Sequence, residues 1–466
     1  MCSNCNTSSL PLMSGRELGT NRCNSTQFEK NLLLFLDPFG EQCEKRIYRY
    51  PRPSILRYLM YAMSSRIRAN RFKMRKVLFI NEGLQSCFFD ARHARCYRVL
   101  SKRHRPKPRG LRGKIVSLLP LSWRAQDRFI IEIPNDRKAE PNLQEIGESR
   151  NFDLMFFHNA SGKLLLANGD TILTGSGQLL KTTANPDYAK VMQKEYVMIE
   201  NISRRLGKPG HLPMNEGRFV ANGREFFTEE YIHGRNLRCV FNELAEKKDY
   251  GQACKLIDHL DQWYLTYLSA FSGEKRPLSS YYFPVIEMFS ARYSTEKNIR
   301  GILDSLTRFL DQIDQKHHGV SPVISHNDLW PGNFIERAEG LTAIDWERAT
   351  EDHAPIFDYY WLIISAALEY IVGRISVVDY SKAFRLFLGK EDPVCEHAHE
   401  KLKSFLTSIQ LDRDNHAQFL LLFLMEWSIQ GYQTLGEVTL MDKLAFIELN
   451  DYWRSLHLKT NKYRYL

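Results

Sequence analysis

The most constraining feature of the chain is the segment 322–347, which interrupts a long helical region with two short apolar runs. Pro322–Ser325 (PVIS) leads into the polar stretch His326–Ile335, and Leu341–Ile344 (LTAI) leads into Asp345–Glu347. Short apolar runs bounded by turn-forming residues predict strands. Because a strand end fixes the direction of the side chains that follow it, the segment predicts an edge where carboxylate and amide groups are held together.

Between residues 151 and 232 the pattern favours strands, with one helix among them. Asn185 can cap that helix, Pro186 suits its first turn, and Gly207 can end it. Apolar residues recur along it at intervals of three and four, namely Met192, Tyr196, Ile199, Ile202 and Leu206. The runs that predict strands are FDLMFF (152–157), KLLL (163–166), QLLKTT (178–183) and FFTEEYI (226–232). A hinge is predicted at His233-Gly234, and helical patterns follow it.

These patterns predict an α+β fold with a small β-rich lobe and a large, mainly helical lobe. The chain has 466 residues, which suits two or three domains. We expect a disordered N-terminus over 1–27 and a basic N-terminal region with a linker over 28–150. The β-rich lobe is predicted over 151–232, and the helical lobe with the polar loops over 233–466. Phe129–Ile133 predicts one further strand ahead of the linker.

Positive charge is concentrated near the N-terminus. The chain has a formal net charge of +10, but the segment 45–114 alone holds 21 Lys and Arg against Glu82 and Asp90. Three interpretations stay open: a solvated basic face, a peripheral contact with an anionic membrane, and nucleic-acid binding. The last is the weakest, because neither zinc-finger spacing nor an RNP-type aromatic motif accompanies the charge.

Composition indicates a reduced, cytoplasmic protein. The chain is 43% hydrophobic and 25% charged, and its nine Cys have no repeating spacing, which favours free thiols over a disulfide scaffold. A secretory signal is not evident at the N-terminus. The apolar stretches Tyr359–Leu368 and Phe419–Met425 are too short to span a membrane and predict buried helices.

The polar groups of segment 322–347 form a set suited to phosphoryl transfer. That reaction needs a group to orient the nucleophile, ligands for Mg²⁺ and a cation near the phosphates. Asp328 would serve as base, while Asn333 and Asp345 would supply the oxygen ligands that Mg²⁺ prefers. The turn Pro331-Gly332 can bring Asp328 and Asn333 to one site. The alternative is that each is a turn residue, since Asp and Asn favour turns.

The spacing His-x-Asp-x4-Asn, followed by Ile-Asp-Trp-Glu with its Asp twelve residues after that Asn, resembles the aminoglycoside phosphotransferase/choline kinase family. The resemblance covers about 150–440. It implies a bilobal protein-kinase-like fold and an ATP- and Mg²⁺-dependent kinase. It also implies that Asp328 is the catalytic base, that Asn333 and Asp345 bind Mg²⁺, and that His326 is a structural member of the loop.

The same resemblance implies a nucleotide site built from the β-rich lobe. A Lys on the third strand would hold the phosphates and pair with a Glu on the next helix, and Lys181 and Glu195 stand at those places. Glu229–Gly234 resembles the hinge whose backbone holds the adenine, which makes Glu230 and Ile232 the expected adenine contacts.

The chain departs from the family pattern in three ways. Asn327 replaces the usual Gly after the loop His, and Asn tolerates the left-handed backbone that the position needs. Trp330 replaces a smaller residue or His. A GxGxxG motif is missing, so the phosphate-covering loop is predicted at either His158–Gly162 or Gly169–Gly177.

Residues outside this pattern are expected to have structural roles. Asp358 is predicted to hold the catalytic loop or a helix start. Glu396, His397 and His399 are expected at the surface.

Together these observations predict an ATP-dependent phosphotransferase that acts on a hydroxyl of a small molecule or glycan. The basic N-terminal region is similar to those of bacterial proteins linked to surface-polysaccharide production, which suggests a cytoplasmic enzyme with a peripheral contact to an anionic membrane. The alternative is a nucleotide-binding pseudokinase that serves as a scaffold.

Overall fold

The computed structural model describes two compact units. The first is drawn from 1–102, 107–193 and 215–233, and the second from 103–106, 194–214 and 234–466. Within these spans the described residues are 16–17, 46–51, 72–81, 85–90, 127–134, 154–158, 163–167, 177–183, 185–207, 210–221, 224–271, 273–296, 299–375, 380–435 and 440–457.

A ten-stranded sheet dominates the first unit. Its order is β1-β2-β5-β3-β4-β6-β7-β8-β10-β9, and every neighbouring pair is antiparallel. The strands are β1 (Arg16–Glu17), β2 (Arg46–Pro51), β3 (Phe72–Asn81), β4 (Gln85–Asp90), β5 (Asp127–Pro134), β6 (Leu154–His158), β7 (Lys163–Ala167), β8 (Gln178–Thr183), β9 (Asn215–Ala221) and β10 (Arg224–Glu230). The sequence predicts β5, β6, β7, β8 and β10, whereas β2, β3 and β4 are new strands within the basic segment.

Helix α1 (Pro186–Leu206) has the ends that the sequence predicts. Asn185 Oδ1 accepts a hydrogen bond from the Asp187 amide at 3.0 Å, and Gly207 leaves the helix with a φ of +59°, a conformation that favours glycine. The predicted apolar face is confirmed, because its members are buried or half-buried: Met192, Tyr196, Ile199, Ile202 and Leu206.

Helices form most of the second unit. In the part of the chain that the structure describes they are α2 (Leu237–Lys247), α3 (Tyr250–Ser269), α4 (Leu278–Tyr293), α5 (Ile299–Lys316), α6 (Ile356–Ile375), α7 (Tyr380–Leu388), α8 (Pro393–Ser408), α9 (His416–Leu435) and α10 (Leu440–His457). Two small sheets carry the loops of segment 322–347. The first consists of β11 (Arg235–Asn236), β13 (Phe334–Arg337) and β14 (Gly340–Ala343). The second consists of β12 (Val323–Ser325) and β15 (Thr350–His353). The predicted α+β class, with a strand-rich and a mainly helical part, is confirmed.

Helix α6 lies at the centre of the helical core. Among the described residues, Ile356–Arg374 is the one helix long and apolar enough to cross a membrane, and 94% of that window is buried inside the protein. Tyr359–Leu368 and Phe419–Met425 are buried in α6 and α9, apart from the half-buried Trp361, as predicted. Gly373 lets α6 approach α2, because a Cβ there would lie 2.6 Å from the Ala245 Cβ.

The prediction that His399 lies at the surface is wrong. Helix α8 has a buried apolar face that includes Cys395, Ala398 and Leu402. His399 lies on the same face, with 1% of its surface exposed. Its Nδ1 meets His416 Nε2 at 3.0 Å, and its Nε2 meets the Phe387 carbonyl at 3.1 Å. Helical periodicity therefore outweighs the polarity of the histidine, whose ring nitrogens are satisfied by other buried groups.

An ion pair between a half-buried histidine and a buried glutamate joins β15 to α9 and makes stability depend on pH. His353 Nε2 lies 2.9 Å from Glu426 Oε1. Burial lowers the pKa of His353, but the charge and hydrogen bond of Glu426 outweigh it and raise that pKa to about 9. Because the folded-state pKa exceeds the ordinary value, the stabilisation is fully present below about pH 6.5 and is lost as pH rises through about 9.

We expect Glu426→Gln to lower the free energy of unfolding at pH 7 by about 1–3 kcal/mol. The difference from the wild type should shrink above pH 9, where His353 is neutral in both proteins. Urea unfolding followed by circular dichroism between pH 6 and 10 measures this. Glu339→Gln, at an exposed surface pair, is the matched control. A difference that stays constant over this range would contradict the assignment.

Candidate active site

The loop that follows β12 is held by one buried carboxylate. Asp358, in the first turn of α6, accepts the His326 amide on Oδ2 at 2.5 Å and the Asn327 amide on Oδ1 at 2.9 Å. It is 1% exposed, so these charge-assisted bonds form away from water. The predicted structural role of Asp358 is confirmed, since it fixes the backbone immediately before Asp328.

Asn327 has the left-handed backbone that its position was predicted to need, with a φ of +60°. Its Oδ1 accepts from Ser325 Oγ at 3.0 Å, and its Nδ2 donates to the Arg348 carbonyl at 3.0 Å and to Thr350 Oγ1 at 2.8 Å. An Asn in place of Gly therefore adds side-chain bonds that connect the loop to the segment leading into β15.

His326 connects the two polar loops. Its Nε2 donates to the Ile344 carbonyl at 3.0 Å, and its ring lies 4.5 Å from the indole of Trp346. Because Ile344 directly precedes Asp345, this bond places the second polar loop beside the first. The side chain of His326 is fully buried, in agreement with the structural role that the resemblance implies.

Asp328, Asn333 and Asp345 are brought together in the second unit. Asn333 Nδ2 donates to the Asp328 carbonyl at 2.9 Å and lies 3.4 Å from Asp328 Oδ2. The Asn333 carbonyl accepts the Ile344 amide at 2.9 Å. Asp345 follows with a φ of +70°, so the chain turns sharply where the second carboxylate stands.

The surroundings of the Asp328 carboxyl give it a higher pKa than an ordinary aspartate has. Burial raises its pKa to about 6. Arg348 and His326 lower that pKa, whereas the neighbouring acids Asp345 and Glu347 raise it further. A carboxyl with a pKa close to neutrality suits a group that exchanges a proton during a reaction.

The donor set next to Asp328 fits a magnesium ion. The side-chain nitrogen of Asn333 donates hydrogen bonds to Asp328, so Asn333 Oδ1 remains an acceptor. Asp345 adds a carboxylate. Among the described residues no group of three or more His, Cys, Asp or Glu could hold a metal ion. Two oxygen ligands are nonetheless sufficient for Mg²⁺ that keeps waters and binds substrate phosphates.

Lys181 has a carboxylate partner that the sequence analysis did not assign. Its Nζ lies 2.7 Å from Glu229 Oε2, and both side chains are buried in the first unit. Phe227 stands opposite Lys181 across β8 and β10, so Glu229 is the diagonal neighbour on the same face. Strand register could have revealed this pair, because it follows from aligning 178–183 with 226–230.

Glu195, the predicted partner of Lys181, makes a defined contact in the second unit. Its Oε1 accepts the amide of Trp346 at 3.1 Å, and the side chain is 2% exposed. Glu195 is thereby bonded to the residue that follows Asp345. The pairing of Lys181 with Glu195 stays a prediction.

The expected adenine contacts lie at the end of β10. Glu230 is its last residue, and Ile232 follows after Tyr231, whose amide donates to the Gly177 carbonyl at 2.9 Å. Glu230 and Ile232 are half-buried, and their role stays a prediction. Most of the two candidate phosphate loops, 159–162 and 169–176, lies outside the described residues.

Two charged residues of the site were missed by the sequence analysis. Glu347 and Arg348 act on the Asp328 carboxyl with opposite signs. Their position directly after the Asp345-Trp346 pair is the signal that could have indicated them.

No protein-family model matches the chain, and no curated protein matches it. The chain is similar in structure to aminoglycoside phosphotransferases. APH(2")-IIia with GDP and kanamycin aligns over 66% of this chain and 92% of its own, at 13% identity and a TM-score of 0.34. APH(3'')-Id from Streptomyces rimosus, with ADP and streptomycin, aligns over 61% and 96%, at 15% identity and a TM-score of 0.37. ADP-bound APH(2'')-Ib aligns over 69% and 96%, at 12% identity and a TM-score of 0.36.

The raised pKa of Asp328 carries a stability cost that a neutral side chain would remove. Above about pH 6 the folded protein holds an unfavourable charge, and this cost disappears as pH falls from 6 to 4. We expect Asp328→Asn to raise the free energy of unfolding at pH 8 by about 1–3 kcal/mol, with a smaller gain at pH 4.5. Denaturant unfolding at both pH values tests this.

Asp304→Asn, at an exposed position of α5, is the control for that measurement and should show no such gain. A stability difference for Asp328→Asn that does not change with pH would show that the carboxyl has an ordinary pKa.

Proposed function

We propose that this protein is an ATP- and Mg²⁺-dependent phosphotransferase that phosphorylates a hydroxyl of a small molecule or glycan. The observation that carries the proposal is the Asp328 carboxyl, which has a pKa near 6, is bonded by Asn333 and is influenced by the charge of Asp345. These three groups are a base and two oxygen ligands, the set that phosphoryl transfer requires.

Asp328 would orient the acceptor hydroxyl and accept its proton. Its backbone is fixed by Asp358 through the two preceding amides, so the carboxyl does not have to be ordered when the acceptor binds. A pKa near 6 leaves the carboxylate ionised at neutral pH while keeping it a better base than an exposed aspartate.

The remaining residues would hold the nucleotide and the metal. Asn333 and Asp345 would bind Mg²⁺, and the metal, when bound, would neutralise charge on the phosphate oxygens. Lys181 would contact the phosphates, with Glu195 as its partner, and the backbone at Glu230 and Ile232 would bind the adenine. In this proposal Glu229 pairs with the Lys181 ammonium and holds it in place between the strands.

The pseudokinase alternative is less well supported. A protein that only binds nucleotide has no need for a base, yet this chain has the Asp328 carboxyl with a pKa raised to about 6 at that position. A role in surface-polysaccharide metabolism, with the basic segment 45–114 touching an anionic membrane, remains part of the proposal. It is supported by the charge of that segment alone.

Removing the carboxylate should abolish turnover while nucleotide binding is kept. We expect Asp328→Ala to reduce phosphate transfer by about 10³-fold or more, an order expected for loss of a general base together with its orienting role. Acceptors would be found by a screen of sugars, amines and lipid-linked glycans with labelled ATP, and ATP binding would be measured by calorimetry.

Asp304→Ala is the control and should behave as the wild type. Unchanged turnover in Asp328→Ala would refute the proposed role of this residue.

Turnover should also decline as pH falls through about 6, because the Asp328 carboxylate becomes protonated. Arg348 lowers the pKa of Asp328, so we expect Arg348→Gln to move this acid limb to higher pH. The measurement is kcat at saturating ATP between pH 5 and 8 for both proteins. An acid limb in the same place in both would indicate that another group controls it.

A further inference from the structure

A guanidinium lies over the aromatic residue of the catalytic loop. The Arg238 Cζ is 5.4 Å from the centroid of the Trp330 ring, and Trp330 is two residues after Asp328. The indole packs against Gly332, where a Cβ would lie 2.3 Å from ring atoms, so Gly332 is required for this arrangement. Arg238 is thereby placed beside the loop that carries the base.

The backbone of Arg238 is attached to the same loop. Asn236 caps α2 by accepting the Arg238 amide on Oδ1 at 3.1 Å, and its Nδ2 donates to the Gly332 carbonyl at 2.6 Å. One side chain therefore connects the start of α2 to the turn before Asn333. The distance between Arg238 and the catalytic loop is set by the fold rather than by a flexible surface contact.

The partner of Arg238 is a buried carboxylate whose oxygens are all used. Glu369 is 3% exposed. Its Oε2 meets Arg238 Nε at 3.2 Å and Asn242 Nδ2 at 3.4 Å, and its Oε1 accepts from the Tyr380 hydroxyl at 2.9 Å. Glu369 is therefore not available to bind a cationic group of a ligand.

The Arg238 guanidinium keeps N–H donors at the surface, whereas the acceptor oxygens of Glu369 are buried. Among the described residues, Arg238 makes its ion pair with Glu369 through Nε and also hydrogen-bonds the Tyr380 hydroxyl, so its terminal nitrogens do not face a second carboxylate. The side chain remains 37% exposed. A guanidinium anchored through Nε presents a planar pair of N–H donors, which suits the two oxygens of a carboxylate or a phosphate.

We propose that Arg238 binds an anionic group, a carboxylate or a phosphate, on the molecule whose hydroxyl is phosphorylated. This proposal rests on the proposed function, because it places the anionic group beside the loop of Asp328. Trp330 and Glu369 position the guanidinium, and Arg238 selects the acceptor. The acceptor then carries a carboxylate or a phosphate, as an acidic or a phosphorylated sugar does, rather than being a polycation such as an aminoglycoside.

The discriminating experiment compares four related hexoses on the full-length protein with ADP and Mg²⁺ present. Glucuronate and glucose-1-phosphate test the carboxylate and the phosphate, while glucose and glucosamine are the neutral and cationic counterparts. We expect calorimetry to show at least about tenfold tighter binding of one or both anionic sugars. The stronger of the two identifies the source of the negative charge.

A double variant tests the role of Arg238 without leaving a buried charge unpaired. Arg238→Gln combined with Glu369→Gln removes both charges and keeps hydrogen-bonding groups at both positions. We expect it to weaken binding of the preferred anionic sugar by about 10- to 100-fold, with the affinity for ADP unchanged. Arg235→Gln, on the neighbouring exposed pair with Glu243, is the matched control and should bind as the wild type.

Equal binding of the four sugars, binding of none of them, or unchanged binding in the double variant would overturn the proposal. Failure of the proposed function has a different signature. In that case ADP does not bind or Asp328→Ala does not affect transfer, whereas a preference for anionic sugars that depends on Arg238 would persist.

Discussion

The site depends on a single buried interaction, the acceptance of two successive backbone amides by the Asp358 carboxylate. Asn327 has a left-handed backbone directly after these two amides, so the chain turns toward Asp328 while both N–H groups donate to the Asp358 carboxylate. The carboxylate stands in the first turn of α6, where a negative charge is favourable. Since 94% of the apolar window of α6 is buried inside the protein, the loop that carries Asp328 is attached to a closely packed part of the core.

A loop fixed in this way can hold charges that would otherwise repel one another. Asp328 is half-buried and lies within the influence of Asp345 and Glu347, and Arg348 offsets only part of the unfavourable energy. Exposed side chains would simply move apart, but a fixed backbone keeps the groups close. A divalent cation bound at this place would relieve the repulsion between these acids.

Local patterns in the sequence predicted much of the framework. Strand β8 and the ends of α1 follow from apolar alternation and from capping residues, and these are short-range effects that a single sequence displays. The conformation of Asn327 and the structural role of Asp358 were also predicted, because each follows from a residue type at a defined place in the loop motif. The burial of His399 was not predicted. Its polarity suggested an exposed position, whereas its place on the apolar face of α8 puts it in the core.

The sequence by itself indicated many of the strands and helices, although not β2, β3 and β4, and it indicated the candidate base and metal ligands. Only the tertiary structure decided which charged groups meet. Lys181 meets Glu229 across two strands, Glu195 accepts the amide of Trp346, and Arg238 is held between Glu369 and Trp330. Backbone conformation depends on neighbours along the chain, whereas each of these partners is distant in sequence. Such pairs exist only after the chain has folded, and they determine the charge that a ligand encounters.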